Sequence, residues 1–263
     1  MAEGCVRAKG VAGVAADRTN WFDRDGQAYA RYRPDYPPAL ARFLTDIAPD
    51  CRLALDVGCG NGQFTCLLAD RFEAVLGIDP SADQIAHATA HERVRYVVAP
   101  AENLPVADRS ASLIAAAQAA HWFDLPRFHA EVRRVGVPGA ILALVTYGVP
   151  CVDADLHDRF MAFYRQEVGG YWPPERALVE SGYAGMAFPF AEIVAPPMDI
   201  VRSWSIDEFL GYVSTWSATR RALAAGQRAI LTRFAEDLAR LWGDPARRRE
   251  VRWPITLRLG LLD

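Results

Sequence analysis

Three glycines at alternate positions follow an acid in Asp56-x-Gly58-x-Gly60-x-Gly62, which suits this stretch to holding a ligand on bare backbone. Glycine lets the main chain take positive φ and lets a bound molecule press directly on it. A carboxylate beside such a loop is compatible with a cationic ligand and unfavourable next to a pyrophosphate. The dinucleotide fingerprint has another register, G-x-G-x-x-G, with the pyrophosphate resting on a helix N-terminus. A second acid, Asp79, ends the apolar run Ala74-Val-Leu-Gly-Ile and lies 21 residues beyond Gly58. That is the distance at which an acid at a strand tip accepts from both hydroxyls of a ribose. A nicotinamide dinucleotide would use the same acid, so these two features specify an adenosine-type ligand of either kind. His121, in Gln118-Ala-Ala-His-Trp-Phe-Asp124, follows a buried apolar run and is the best candidate for a general base.

These groups need a scaffold that gathers them. Leu53–Val57 reads as a buried strand breaking into the glycine loop, and Phe64, Leu67, Leu68 and Phe72 have the spacing of an amphipathic helix. Pro80 stops the second strand, and Ser81-Ala-Asp-Gln84 has the form of a capping box. Val94–Val98 and Ser112–Ala117 read as the next strands. A helix over Leu125–Val135, a Pro138-Gly139 turn and a strand over Ala140–Tyr147 follow.

Further on, Asp153–Val168 reads as an aromatic-rich helix, followed by Gly169-Gly-Tyr171-Trp172 and a short helix to Ser181. Ala191–Val201 is expected to be a sixth strand, interrupted by Pro196-Pro197. Ser205-Ile-Asp-Glu208 forms another capping box, opening a helix with Phe209, Tyr212 and Trp216, and a longer helix runs to Trp242. Val251–Leu261 alternates as a closing antiparallel strand. The fold expected is α/β: a Rossmann-like, seven-stranded, mostly parallel sheet with helices on both faces, an antiparallel last strand and a helical cap inserted after strand five.

Taken in order, the acid–glycine loop, the ribose acid, Ala101-Glu-Asn-Leu-Pro105, His121-Trp-Phe-Asp124 and Arg134-Val-x-x-Pro138-Gly139 resemble the class I S-adenosylmethionine (SAM) methyltransferases. The resemblance is close over roughly residues 27–147 and, within the family, is to small-molecule methyltransferases of the trans-aconitate and cantharidin kind. It departs from the family where Ser112 stands for an acid at the start of the fourth strand, and at Gly136 and Ala140 around the proline turn. It implies SAM as cofactor, S-adenosylhomocysteine as product, no metal and a small-molecule methyl acceptor. The implied cofactor contacts are Arg33, Asp56, Gly58, Cys59, Gly60, Gln63, Asp79, Pro80, Gln84, Ala101, Glu102, Gln118 and Ala119. Arg33 belongs to a lid segment, its guanidinium matched to the methionyl carboxylate. Tyr29, His121, Trp122, Tyr147, Tyr171 and Trp172 are expected at the acceptor, with His121 and Tyr147 nearest the chemistry.

The domain reading is a disordered lead-in over residues 1–26 and one domain over 27–263: a lid (27–50), a cofactor core (51–150), a substrate cap (151–190) and C-terminal strands and helices (191–263). No apolar run approaches the ~18 residues of a membrane span. The net charge of −3 gives no general attraction to nucleic acid. Five scattered cysteines without metal-ligand spacing suit a reducing cytoplasm. The Arg247–Arg249 run, with Arg220 and Arg221, reads as solvated helix ends, and His87, His91, His129 and His157 as surface residues of helices. The aromatic-rich insert over residues 153–181 points to an enclosed, mostly apolar cavity and a planar or hydrophobic metabolite. Few arginines fall in the segments expected to line it, which tilts away from a tricarboxylate. Both a secondary-metabolite scaffold and a small polycarboxylate stay open. Oligomeric state is not readable. Two other functions stay open: a nicotinamide-dependent oxidoreductase, weakened by the glycine register and the lack of a Tyr-x-x-x-Lys pair, and a SAM-binding module without transferase activity.

Overall fold

The computed structural model describes residues 32–263. In chain order its elements are α1 (Pro38–Ile47), β1 (Leu53–Val57), α2 (Gln63–Ala69), β2 (Ala74–Asp79), α3 (Ala82–Ala86), β3 (Val94–Val98), β4 (Ala111–Ala117), α4 (Leu125–Val135) and β5 (Gly136–Tyr147). Then come α5 (Ala154–Ala162), α6 (Arg176–Glu180), β6 (Ala191–Ile193), β7 (Met198–Trp204), α7 (Ile206–Ser214), α8 (Ser217–Ala224), α9 (Arg228–Trp242) and β8 (Arg249–Leu261).

The strand order is β3-β2-β1-β4-β5-β8-β6, with β7 also paired to β8. Pairs from β3 to β5 are parallel, and β8 runs antiparallel to its neighbours. The sheet reverses its strand order between β1 and β4, and in open α/β sheets ligands gather at that crevice. Alternation along the strands splits the apolar side chains between two layers. Leu113 of β4 and Ile141, Ala143 and Val145 of β5 meet α1 and α2, whereas Ile114, Leu142 and Leu144 meet α4.

Two boundaries differ from expectation. Ala191–Val201 is not one strand but two short ones, β6 and β7, sharing the outer position beside the 13-residue β8. Pro196 and Pro197 have no N–H to offer β8, so the chain leaves the ladder and rejoins it at Met198. The fifth strand starts at Gly136 rather than Ala140. The Pro138-Gly139 turn lies inside it as an irregularity, because β4 pairs Ala111 with Gly136 and then Leu113 with Ile141. At the foot of β4 the Ser112 hydroxyl donates to the Asp50 carboxylate.

The cap has a core of its own. Phe160 and Phe163 pack with Phe209, Trp216, Phe234 and Trp242, and Phe163 stacks on Phe234 with ring centres 3.9 Å apart. Residues after β5 and residues between β7 and β8 therefore build one helical layer. The Ser205–Glu208 capping box makes both of its bonds. The helix it opens ends at Ser214, so Phe209 and Tyr212 lie on it and Trp216 just beyond. Arg249, 5% exposed, ties the layer to the sheet through Asp153, Asp155 and the carbonyls of Leu241 and Trp242. Its burial corrects the reading of Arg247–Arg249 as solvated: charge partners and helix-end carbonyls replace water around Arg249. Among the described residues no helix is long and apolar enough to cross a membrane.

Candidate active site

The glycine loop sits between the ends of β1 and β2. Gly58, Gly60 and Gly62 have φ of 74°, 55° and 87°. The N–H groups of Gly58 and Cys59 both donate to the Ile78 carbonyl, at 2.7 and 3.0 Å, which pulls the loop against β2. A Cβ on Gly58 would stand 2.4 Å from the Ala119 methyl, and one on Gly62 would meet the Tyr96 hydroxyl at 2.0 Å. Space and conformation both demand glycine at these two positions.

Asp79 is locked to the loop: one carboxylate oxygen accepts from Gly60 N at 2.8 Å, the other from Ser81 N at 2.9 Å. Each oxygen has a second acceptor site, and the residue borders the cavity. Asp56 is fully buried and accepts from the Thr65 hydroxyl at 2.6 Å, while its Oδ1 has no hydrogen-bond partner. Burial pushes its pKa up to about 7, aided by the nearby Asp79 charge and opposed by the Thr65 hydrogen bond. An orphaned buried acceptor beside a side-chain-free cradle fits a cationic ligand. The Cys59 thiol is pushed up by burial and by Asp56 and Asp79, so it is not a nucleophile.

The ends of β4 and β5 form the opposite wall. Gln118 takes a left-handed φ of 55°, rare for a residue with a side chain. Its amide nitrogen donates to the Tyr147 carbonyl at 2.7 Å, and its amide oxygen accepts from the Thr146 hydroxyl at 3.3 Å. His121 follows on a 3₁₀ turn, Ala120–Trp122, with Nδ1 3.0 Å from the Tyr183 hydroxyl. Burial, with the Arg176 charge second, lowers the His121 pKa to about 4, so the ring is neutral at neutral pH.

These groups face one cavity of about 700 Å³. Its wall contains Arg33, Asp56, Gly58, Cys59, Gly60, Gln63, Asp79, Pro80, Gln84, Ala101, Glu102, Gln118, Ala119, His121, Trp122 and Tyr147. A recess of about 80 Å³ shares Arg33, Gln118, His121, Trp122 and Tyr147 with it and adds Trp172, Tyr212 and Trp216. Tyr171 borders neither space. The tight turn Gly169–Tyr171 sends its ring against the cap core, so the structure does not bring it to the acceptor position. Tyr29 lies outside the described residues.

Three expectations are corrected. Arginines do reach the cavities: Arg33, Arg176, Arg220 and Arg221 line them, brought in from the segment before α1, from α6 and from α8 by tertiary packing. Arg220 and Arg221 are therefore not solvated helix ends. His129 is buried, not a surface residue, because Phe188 and Phe190 from the segment before β6 close over it. Tyr36, one of the tyrosines expected to wall off water over the cofactor, contacts Phe64 and Tyr147 at the cavity, whereas sequence reading missed Tyr183 beside His121. Tyr183 follows a helix end and a glycine, a pattern that reads as a cap with no chemistry.

Comparison with known proteins agrees with this geometry. A methyltransferase-domain family model matches residues 55–144. A Dictyostelium discoideum protein named as a methyltransferase is 32% identical over 228 residues, covering 84% of this chain and 86% of its own. A structure described as a type II methyltransferase from Anaeromyxobacter dehalogenans is 46% identical, with a TM-score of 0.83 over 88% of this chain and 98% of its own. A Saccharomyces cerevisiae protein named as a SAM-dependent methyltransferase is 30% identical over 129 residues, 45% of this chain and 44% of its own. The chain belongs to the class I SAM-dependent methyltransferases.

Proposed function

We propose that this methyltransferase acts on a small, flat acceptor carrying an acidic group, and that SAM occupies the glycine-loop end of the main cavity. The observation that carries this reading is convergence: the glycine loop, Asp79, Gln118 and His121 come from different strand ends and open onto one space. Asp79, bordering the cavity, would accept from the ribose hydroxyls. Asp56, buried at the start of the loop, would meet the cationic methionyl end, and Arg33 its carboxylate. Bound there, SAM supplies an electrophilic methyl group on a sulfonium. A nicotinamide dinucleotide would use Asp79 equally well but would bring a pyrophosphate to a loop that opens on Asp56, a poor electrostatic match.

The recess favours the acceptor because aromatic rings and arginines line it together. Trp172, Tyr212 and Trp216 offer flat apolar walls, and Arg176 and Arg220 offer positive charge. The residues' main work is alignment, since in-line displacement needs the acceptor atom held directly behind the methyl carbon. His121, neutral and on the border of both spaces, is the group that takes a proton where the acceptor has one to lose.

Titration calorimetry with SAM, S-adenosylhomocysteine and NADH tests the cofactor half; binding of NADH without SAM would overturn it. Tritiated-methyl SAM with a panel of aromatic acids, phenols and aliphatic polycarboxylates tests the acceptor half. Label is expected in aromatic acceptors, and SAM binding without label transfer across the panel would favour a binding module.

A further inference from the structure

We infer that Arg176, stacked on Trp172, is the residue that selects the acceptor: its two terminal nitrogens clamp an acceptor carboxylate in the recess, as an anchor and not as the group that is methylated. The inference rests on the proposed placement of the acceptor at the recess.

The recess suits one charged end group. At about 80 Å³ beside a cavity of about 700 Å³, it has room for a terminal group and not for a whole metabolite. Arg33, Arg176 and Arg220 line it, and among the described residues no Asp or Glu does. The Arg176 guanidinium is held in place with hydrogen-bonding capacity to spare. Its Nε donates to the Tyr164 hydroxyl at 2.8 Å and pairs with the Glu180 carboxylate at 3.4 Å. Its central carbon lies 4.8 Å from the centre of the Trp172 ring, a cation–π contact. Among the described residues no hydrogen-bond partner meets Nη1 or Nη2, and neither atom is sealed from solvent. Parallel N–H bonds from such a fork match the two oxygens of a carboxylate.

The supports of the fork are themselves fixed. α5 runs into a wide turn, Phe163–Glu167, after which the Val168 N–H donates to the Phe163 carbonyl, five residues back, at 3.0 Å. Such π turns are frequent at functional sites. Tyr164 lies on this turn and is buried. Its hydroxyl accepts from Arg176 Nε and gives its own proton to the Glu180 carboxylate. Its backbone carbonyl accepts from Trp172 Nε1 at 3.3 Å. One buried tyrosine therefore orients both the ring and the guanidinium, so little side-chain freedom is left to lose when a carboxylate binds.

Placement makes this carboxylate an anchor. A carboxylate gripped through both oxygens has its lone pairs committed to N–H donors. The recess shares Gln118 and His121 with the main cavity but contains neither Asp79 nor any residue of the Gly58–Gly62 loop, so a group inside it stands apart from the cofactor end. The methylated atom is then a hydroxyl oxygen on the part of the acceptor outside the recess. Its O–H bond breaks and the proton passes to His121, which becomes an imidazolium. The oxygen lone pair forms the bond to the methyl carbon, and the methyl–sulfur electron pair stays on sulfur as a thioether. The product keeps its carboxylate.

Calorimetry on the full chain, with and without saturating S-adenosylhomocysteine, compares benzoate and cinnamate with benzamide and cinnamamide. Each acid is expected to bind roughly tenfold or more tightly than its amide, as hydrogen bonds to a charged group imply. Arg176→Gln should bring acid and amide to within about twofold of each other. Arg176→Lys should recover only part of the preference, because an ammonium cannot fork. S-adenosylhomocysteine affinity, which also reports that the variants are folded, should be unchanged, since Arg176 is not on the wall of the main cavity. Equal binding of acid and amide by the parent, no binding of either acid at millimolar concentration, or a preference kept in Arg176→Gln would overturn the clamp. A loss of S-adenosylhomocysteine affinity of roughly tenfold in both variants would overturn it too, assigning Arg176 to the cofactor. With tritiated-methyl SAM and para-hydroxycinnamate, label is expected in an ether stable to mild alkali. Label released as methanol would mark an ester and overturn the anchor. Failure of SAM to bind the parent protein would instead remove the cofactor reading, with the acid–amide comparison made without S-adenosylhomocysteine still deciding the clamp.

Discussion

Asp56 is the residue whose chemistry is most altered by its surroundings. Its pKa, pushed up to about 7 by burial, makes folding and ligand binding respond to pH in opposite senses. For a carboxyl raised above its unfolded value, the stabilising contribution is complete below the unfolded pKa of about 4 and is lost as pH rises through about 7. The ligand-free protein is therefore expected to lose this contribution between those values, which denaturant titrations at a series of pH values would show. A cationic ligand favours the ionised form, so SAM affinity should rise with pH up to about 7 and flatten above it, by at most tenfold per unit. Calorimetry from about pH 5.5 to 8.5 should show proton release on binding at the acid end. Asp56→Asn should abolish that linkage, and persistence of the slope in this variant would exclude Asp56 as its source. Gly58→Ala brings a methyl to within 2.4 Å of Ala119 at a left-handed φ. It should cost roughly 1–3 kcal/mol of stability and most SAM binding, measured by urea unfolding and calorimetry on the same preparation.

At the scale of elements, the sequence was most legible where a local rule acts alone. α4 occupies the expected Leu125–Val135, with the Asp124 side chain accepting from Arg127 N at its start, and the Ser205–Glu208 box opens α7 as written. The reading was poorest where pairing with a distant strand decides the outcome. Whether Ala191–Trp204 forms one strand or two depends on where β8 can find donors, and β8 is some fifty residues away in the chain. Arg249 gives an element-scale prediction, because one guanidinium joins β8 to the start of α5 and the end of α9. Arg249→Met should destabilise by about 3 kcal/mol, since the buried carbonyls lose their donors. Arg249→Lys should restore little, because an ammonium cannot fork to two carboxylates and two carbonyls. Asp155→Asn alone should change stability by well under 1 kcal/mol, its carboxylate being half exposed. Thermal and urea unfolding of the three variants would rank them, and a lysine variant equal to the parent would refute the clamp.

Over the whole molecule, the main cavity is lined from the ends of β1, β2 and β4, and the recess beside it from a cap assembled out of two separate stretches. A ligand bridging strand ends is expected to stabilise the whole fold. SAM at a hundred times its Kd should add about 2.7 kcal/mol, or roughly 5–10 °C in Tm for a chain of this size. Scanning fluorimetry with SAM, and with NADH as the contrast, would detect it; equal shifts from both would count against the cofactor assignment.

By itself the sequence determined the parallel sheet and the loop that defines the protein's class. Glycine at positive φ, an acid at a strand tip and an apolar run are local demands, written in consecutive residues. Only the tertiary structure decided how the recess beside the main cavity is built. Arg176 and Arg220 at the recess, Tyr171 turned away from it and Tyr183 against His121 all depend on how the cap packs over the sheet. Contacts between residues 62 positions apart leave no periodic or spacing signal in the chain.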